Sequence, residues 1–230
     1  MSMPSSDQSG FDLSSPDLTG PARTPADGSP TRQLVVLLHG LGADGHDLID
    51  LADAWAPLLP QAGFLSPHAP FPCDMAPYGR QWFSLRDWTM ASLTAGVQAA
   101  SPVLQGFLER KRQALGLSWS QIALVGFSQG TMLALHLAPR LPEPLGAVVG
   151  FSGALAGPEL LPTQIRSRPP VLLLHGEADG VVPVAASMLA AQALEQDGIP
   201  VTLHVQPGLD HALDEDGITR AGQFLTRHLR

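Results

Sequence analysis

A serine hydroxyl is a weak nucleophile until a base removes its proton, so a serine held in a defined backbone turn is the first place to look for chemistry. Gly126-Phe127-Ser128-Gln129-Gly130 is a G-x-S-x-G that directly follows the apolar run Ile122-Ala123-Leu124-Val125 and opens a helix-like stretch from Gln129. Strand, sharp turn and helix form the context in which this pentapeptide acts as a nucleophile elbow. Its glycines let strand and helix approach where a Cβ would collide. The Ser128 hydroxyl then projects above a sheet, at the positive end of the following helix. With 23 glycines in the chain the pentapeptide alone says little, and its flanks give it weight. Ser152, in Gly150-Phe151-Ser152-Gly153-Ala154, also ends a strand-like run, but Ala154 replaces the second glycine and no apolar helix follows at once. It reads as structural.

The base that activates a serine needs an acid to fix its tautomer. Downstream, PVLLLHGEADGVVP places Asp179 in a glycine-containing loop after a strand, with Glu177 as a local competitor. The run VTLHV is followed by QPGLDHALDEDG, which puts His211 in the corresponding loop before the last helical stretch. Ser128, Asp179 and His211 stand in the chain order expected of α/β-hydrolases. Of the other histidines, His46, His136 and His228 fall in helical stretches, His204 within a strand and His68 in a proline-rich loop. His39 and His175 end strands before a glycine, where a packed, hydrogen-bonded role is expected. None makes a metal-ligand spacing on one element, so no metal site is expected.

Acyl transfer also needs donors for an oxyanion, normally the amide after the nucleophile and one from the loop after an early strand. Here these are the backbone N–H groups of Gln129 and Leu41, the latter in Leu38-His39-Gly40-Leu41-Gly42. Gly40, Gly42 and Gly45 also satisfy G-x-G-x-x-G between a strand and a helix. A dinucleotide site further requires an acidic residue at the end of the next strand. The run 63–66 ends instead in Ser66-Pro67-His68, and the reading leaves the serine constellation unexplained.

The elements that must position these residues are legible as short apolar runs. LVVLLHG from Leu34, then 121–126, 146–151, 170–175 and 201–205, with 63–66 as a weaker candidate, have the brevity and β-branched content of strands buried on both faces. Helical spacing fills the intervals at 46–59, 95–115, 129–137, 183–196 and 216–228. Alternation of this kind predicts a mostly parallel sheet with helices on both faces, and a site beyond the strands' carboxyl ends. The stretch 67–93, with four prolines and Trp82, Phe83 and Trp88, breaks the rhythm as a long loop, the kind that walls binding sites. Residues 1–32, rich in Ser, Pro, Gly and Asp, read as a disordered tail, and 33–230 as the domain.

Thirteen basic against 21 acidic residues give a formal charge of −8, which argues against a nucleic-acid partner. Neither a secretory signal nor a run of membrane-spanning length is recognised, so no membrane insertion is expected. The single cysteine, Cys73, cannot form an intramolecular disulfide, and the expected location is cytoplasmic.

LLHGLGADG, RQWFSL, GFSQG, HGEADGVVP and GLDHAL, in that order from Leu34 onward, together resemble the phospholipase/carboxylesterase family, which includes acyl-protein thioesterases. The resemblance implies an α/β-hydrolase fold without the first strands of larger members, a Ser128–Asp179–His211 triad and oxyanion donors at Leu41 and Gln129. It favours Asp179 over Glu177. It also implies hydrolysis of small carboxylic esters, lysophospholipids or acyl-protein thioesters without a cofactor, an acyl pocket bordered by Trp82 and Phe83, and a homodimer through apolar loop surface. Thr131 departs from the family pattern, where many relatives carry another glycine after GFSQG. The rival readings are a protease on the same triad and a non-catalytic binding protein on the same fold.

Overall fold

In a computed structural model, described over residues 18–229, the continuous apolar runs become the interior of one sheet. Its strands are β1 (Ala22–Arg23), β2 (Gln33–Leu38), β3 (Ala62–Leu65), β6 (Ile122–Phe127), β7 (Ala147–Phe151), β8 (Val171–Gly176) and β9 (Val201–Gln206). They lie in the order β1-β3-β2-β6-β7-β8-β9, parallel throughout except for the antiparallel edge pair β1 and β3. A separate two-stranded hairpin joins β4 (Phe71–Pro72) to β5 (Arg80–Gln81).

Alternate side chains of each strand feed two separate cores. Leu34, Val36, Leu38, Leu124 and Val148 pack under α2 (Met90–Leu115), α3 (Gln129–Leu137) and α5 (Ala185–Gln196). Val35, Leu37, Val125, Val149 and Leu174 pack under α1 (Leu51–Trp55) and α6 (Glu215–His228). A short α4 (Leu161–Gln164) closes the first face through Leu161. The first core is continuous with Trp82 and Phe83, so the loop before α2 is part of the packed body.

Three expectations change. The expected tail does not extend over 18–32, which are docked on the sheet edge; residues 1–17 lie outside the described residues. Leu18 is buried, His68 N donates to Thr19 O (2.8 Å) and Ser66 N to Pro21 O (3.0 Å). This docking is made by backbone hydrogen bonds and by Gly20, where a Cβ would lie 2.2 Å from Ser66 O, so a count of apolar side chains misses it. The stretch 67–93 is no bare loop, because it carries the hairpin and the start of α2 at Met90, capped by Thr89 accepting from Ser92 N (3.2 Å). The helix expected over 46–59 shrinks to Leu51–Trp55, since successive i to i+3 hydrogen bonds from Asp44 to Asp53 tighten that stretch into turns.

Candidate active site

Ser128 follows β6 with φ 51° and ψ −113°, a conformation rare for a residue with a side chain and a known reservoir of strain at functional sites. The turn exists because its flanks have no Cβ. One added at Gly130 would lie 1.9 Å from Leu38 O, and one at Gly126 would lie 2.4 Å from Thr131 N. Ser128 N donates to Phe151 O (2.9 Å), which fixes the elbow to β7. The hydroxyl makes no hydrogen bond among the described residues; contacts of this kind often tighten only when substrate binds.

Asp179 lies in the turn after β8, with its carboxylate fully buried. Oδ1 accepts from Val181 N (2.9 Å) and Val182 N (2.8 Å), and Oδ2 accepts from His211 Nδ1 (2.7 Å). Burial pushes the Asp179 pKa up, but the hydrogen bonds from His211, Val182 and Val181 together hold it below the usual carboxylate value. It is therefore an ionised acceptor at neutral pH, and His211 presents Nε2 on its far side. The His211 ring packs on Phe127, with centroids 4.8 Å apart, so it stands beside the residue preceding Ser128. Glu177 takes no part in these contacts; its amide pairs with Gln206 O.

Leu41 follows β2 in a loop whose own hydrogen bonds run from Gly42 N to Arg80 O (2.9 Å) and from Arg80 N to Ala43 O (2.8 Å). A Cβ at Gly40 would come within 3.4 Å of Ser128 Cβ, which places this loop against the elbow. The Gln129 amide opens α3, where helix geometry leaves the first N–H groups without an intrahelical acceptor. The loop that carries Leu41 and the helix start at Gln129 therefore both lie beside Ser128.

The side chains that brace this loop and helix start carry no signal in the sequence. Gln129 is fully buried; its Oε1 accepts from Trp82 N (2.8 Å) and its Nε2 donates to Phe83 O (2.8 Å). Trp82 Nε1 in turn donates to His39 O (3.0 Å), just before the Leu41 loop. His39 donates from Nδ1 to Gly40 O (2.7 Å) and accepts at Nε2 from Ala69 N (3.0 Å); burial pushes its pKa down and keeps it neutral. The elbow, the aromatic segment and the loop are thus tied in one chain of buried hydrogen bonds.

Trp82 and Phe83 are both buried, and they border a cavity of about 500 Å³ together with Ser84, Ala95 and Gly96. An apolar groove of about 140 Å³ lies between Met90, Ala154, Leu155, Ala186 and Leu189. Its Ala154 follows Gly153, where a Cβ would lie 3.2 Å from Ser128 O. Ser152 has φ 48° and is sealed from solvent. Among the described residues no cluster of His, Cys, Asp and Glu could hold a metal ion, and no helix is long and apolar enough to cross a membrane.

A family model described as Phospholipase/Carboxylesterase matches residues 21–229. The chain belongs to this family. Its first matched position falls in the segment docked on the sheet edge, so the family domain includes β1. The solved structure of esterase PE8 is 43% identical, superposes with a TM-score of 0.89 and covers 93% of this chain and all of its own. Esterase YpfH of Escherichia coli is 32% identical over 201 residues, 87% of this chain and 83% of that protein. Acyl-protein thioesterase 1 of Gibberella zeae is 26% identical over 212 residues, 85% of this chain and 90% of that protein. The fold is that of the α/β-hydrolases, and the family is one of carboxylic ester hydrolases.

Proposed function

We propose that this family member cleaves carboxylic esters or thioesters through an acyl-enzyme on Ser128. His211 Nε2 takes the Ser128 proton as Oγ attacks the acyl carbonyl carbon, and Asp179 stabilises the imidazolium that forms. The N–H groups of Leu41 and Gln129 receive the tetrahedral oxyanion. His211 then hands the proton to the leaving alcohol or thiol, and water attacks the acyl-enzyme by the same route in reverse. The observation that carries this reading is the buried Asp179–His211 pair at 2.7 Å, with its imidazole packed at a tilt on Phe127 beside the elbow.

The apolar groove beyond Gly153 receives the acyl chain in this reading. Its volume of about 140 Å³ suits a short chain, being well below the roughly 300 Å³ at which pockets for drug-sized ligands begin. The larger cavity beside Trp82 and Phe83, which the resemblance would give to the acyl chain, has room in this reading for the alcohol or thiol portion. We place the protein in the cytoplasm, where the unpaired Cys73 needs no disulfide partner. The test is hydrolysis of p-nitrophenyl butyrate against p-nitrophenyl palmitate, with Ser128→Ala as the blank and fluorophosphonate labelling mapped by mass spectrometry. Butyrate preference, an inert Ser128→Ala variant and a label on Ser128 are expected. Near-normal turnover by Ser128→Ala overturns the mechanism, and palmitate preference overturns the assignment of the groove.

A further inference from the structure

β8 delivers a second histidine to the carboxylate of Asp179. His175 Nε2 lies 3.1 Å from Asp179 Oδ2 and 2.8 Å from Val182 O, while its Nδ1 lies 2.7 Å from Ser187 Oγ on α5. The side chains of His175 and Asp179 are both fully buried. The Ser187 hydroxyl is in turn 3.1 Å from Gly153 O, in the loop that passes Ser128.

Proton accounting settles how the ring is used. A carboxylate oxygen and a carbonyl oxygen are acceptors only, so the nitrogen lodged between them must carry a proton. His175 Nε2–H therefore donates to Val182 O, and the same N–H edge lies 3.1 Å from Asp179 Oδ2 as a charge–dipole contact rather than an aligned hydrogen bond. Asp179 Oδ2 then accepts from His211 Nδ1 with the His175 N–H edge beside it, and Oδ1 accepts from two amides.

We infer that His175 is a positioning residue of this site, which orients the Asp179 carboxylate and sets how much of its charge reaches His211. The inference rests on the reading of Asp179 and His211 as acid and base. A positively polarised N–H held 3.1 Å from Oδ2 offsets part of the negative charge that stabilises the His211 imidazolium. Without it, His211 faces an undivided carboxylate that is less firmly oriented. Two effects follow: the imidazolium is favoured, and the geometry of proton transfer loosens. The other charged group touching the pair is Asp210, whose Oδ1 accepts from His211 N (2.8 Å) and Gly180 N (3.2 Å); its negative charge is unchanged by any substitution at 175. Phe127 and Ser187, from β6 and α5, contribute no charge.

The experiment compares wild type, His175→Leu, His175→Gln and Ser187→Ala by the pH profile of kcat/KM on p-nitrophenyl butyrate, alongside thermal melting and fluorophosphonate labelling. His175→Leu removes the donor: kcat falls about tenfold or more at nearly constant KM, and the acid limb of the profile moves to higher pH by about half a unit. His175→Gln, which keeps an N–H donor, recovers part of the loss and brings the limb back. Ser187→Ala releases the far side of the ring and moves the limb in the same direction as His175→Leu, which keeps the test open where the leucine variant does not fold. An acid limb that stays in place in the folded variants, with activity falling only in step with the folded fraction, overturns the role of His175. Absence of label on Ser128 in wild type would instead overturn the underlying mechanism, so the two failures are distinguishable.

Discussion

Replacing Gln129 by methionine tests whether the elbow and the aromatic segment are held together by its side-chain amide. Methionine has a similar reach and is apolar, so the exchange opens no large cavity while deleting both hydrogen bonds to Trp82 N and Phe83 O. Each backbone group is then buried without a partner, at about 1–3 kcal/mol apiece, so the total is about 2–6 kcal/mol. That is a large fraction of the roughly 5–15 kcal/mol that holds a domain folded. At about 2–4 °C per kcal/mol for a chain of this size, the melting temperature should fall by roughly 5–20 °C. Gln129→Glu keeps an acceptor for Trp82 N but sets an acceptor-only oxygen against Phe83 O and buries a carboxylate, so at neutral pH it should lose at least as much stability as Gln129→Met. The backbone N–H of residue 129 survives in both variants. Any loss of kcat measured well below the melt therefore reports displacement of the Trp82–His39 brace and the Leu41 loop, not removal of a donor. Differential scanning fluorimetry and steady-state kinetics on p-nitrophenyl butyrate provide the two readouts. A Gln129→Met protein that melts within a degree or two of wild type, with unchanged kcat, would refute the idea of a hydrogen-bonded clamp.

Two further outcomes follow from the same geometry. Gly130→Ala should yield little or no soluble folded protein, because the new Cβ would lie 1.9 Å from Leu38 O between two buried elements; a soluble, active variant in an expression and melting assay would contradict the close approach. His136 is buried, and desolvation together with the nearby Arg140 cation pushes its pKa down to about 4 from 6.5, so the unfolded chain binds a proton that the native state refuses. Stability should therefore fall as pH drops from 6.5 toward 4, by about 3 kcal/mol in all, whereas the contribution of Asp179, whose pKa is lowered, is lost only below 3.8. Urea unfolding at pH 7 and pH 4.5 should show this loss in wild type and a flatter dependence in His136→Phe.

The parts of the fold that were legible are those in which one segment carries its own pattern. β2, β6, β7 and β8 are buried on both faces and read as unbroken apolar runs, and each lies within a residue or two of where that run predicts it. β1, β4 and β5 are two residues each and owe their existence to partners distant in sequence, so no local pattern announces them. The docked segment 18–32 is hidden for the same reason. At the site, Ser128 stands out because strand, turn and helix surround it, and Asp179 and His211 because they follow strands in the right order. His175 does not stand out, since a histidine before a glycine at a strand end looks the same whether its ring meets a carbonyl or a carboxylate. The clamp by Gln129 is equally silent, because its position is the unconstrained one of G-x-S-x-G and its partners lie 46 and 47 residues away.

Why Ser128 and not Ser152 serves as nucleophile in this reading is a question that the strand-end turn cannot answer. The two serines end neighbouring parallel strands in register, with Gly126 opposite Gly150 and Phe127 opposite Phe151. Both have positive φ, and each donates its amide to a carbonyl of the next strand, Ser128 N to Phe151 O and Ser152 N to Leu174 O, at 2.9 Å in both cases. They part in what comes next. After Ser128 the chain enters α3 at once, seated by Gly130 against β2, and the residue keeps a small opening at 8% exposure. After Ser152 it runs through Gly153, packed against Thr131, where a Cβ would lie 2.4 Å from Thr131 Cβ, and the Ser152 hydroxyl is sealed at 1% without a partner among the described residues. Thr131 itself, the departure from the family's glycine, fits because Gly150 and Gly153 leave room for its methyl group, while its Oγ1 lies 2.8 Å from both Gly126 O and Phe151 O. The same threonine therefore fastens the first elbow and covers the second. Access to a hydroxyl, set by packing between elements far apart in the chain, separates the two serines more sharply than the turn geometry they share.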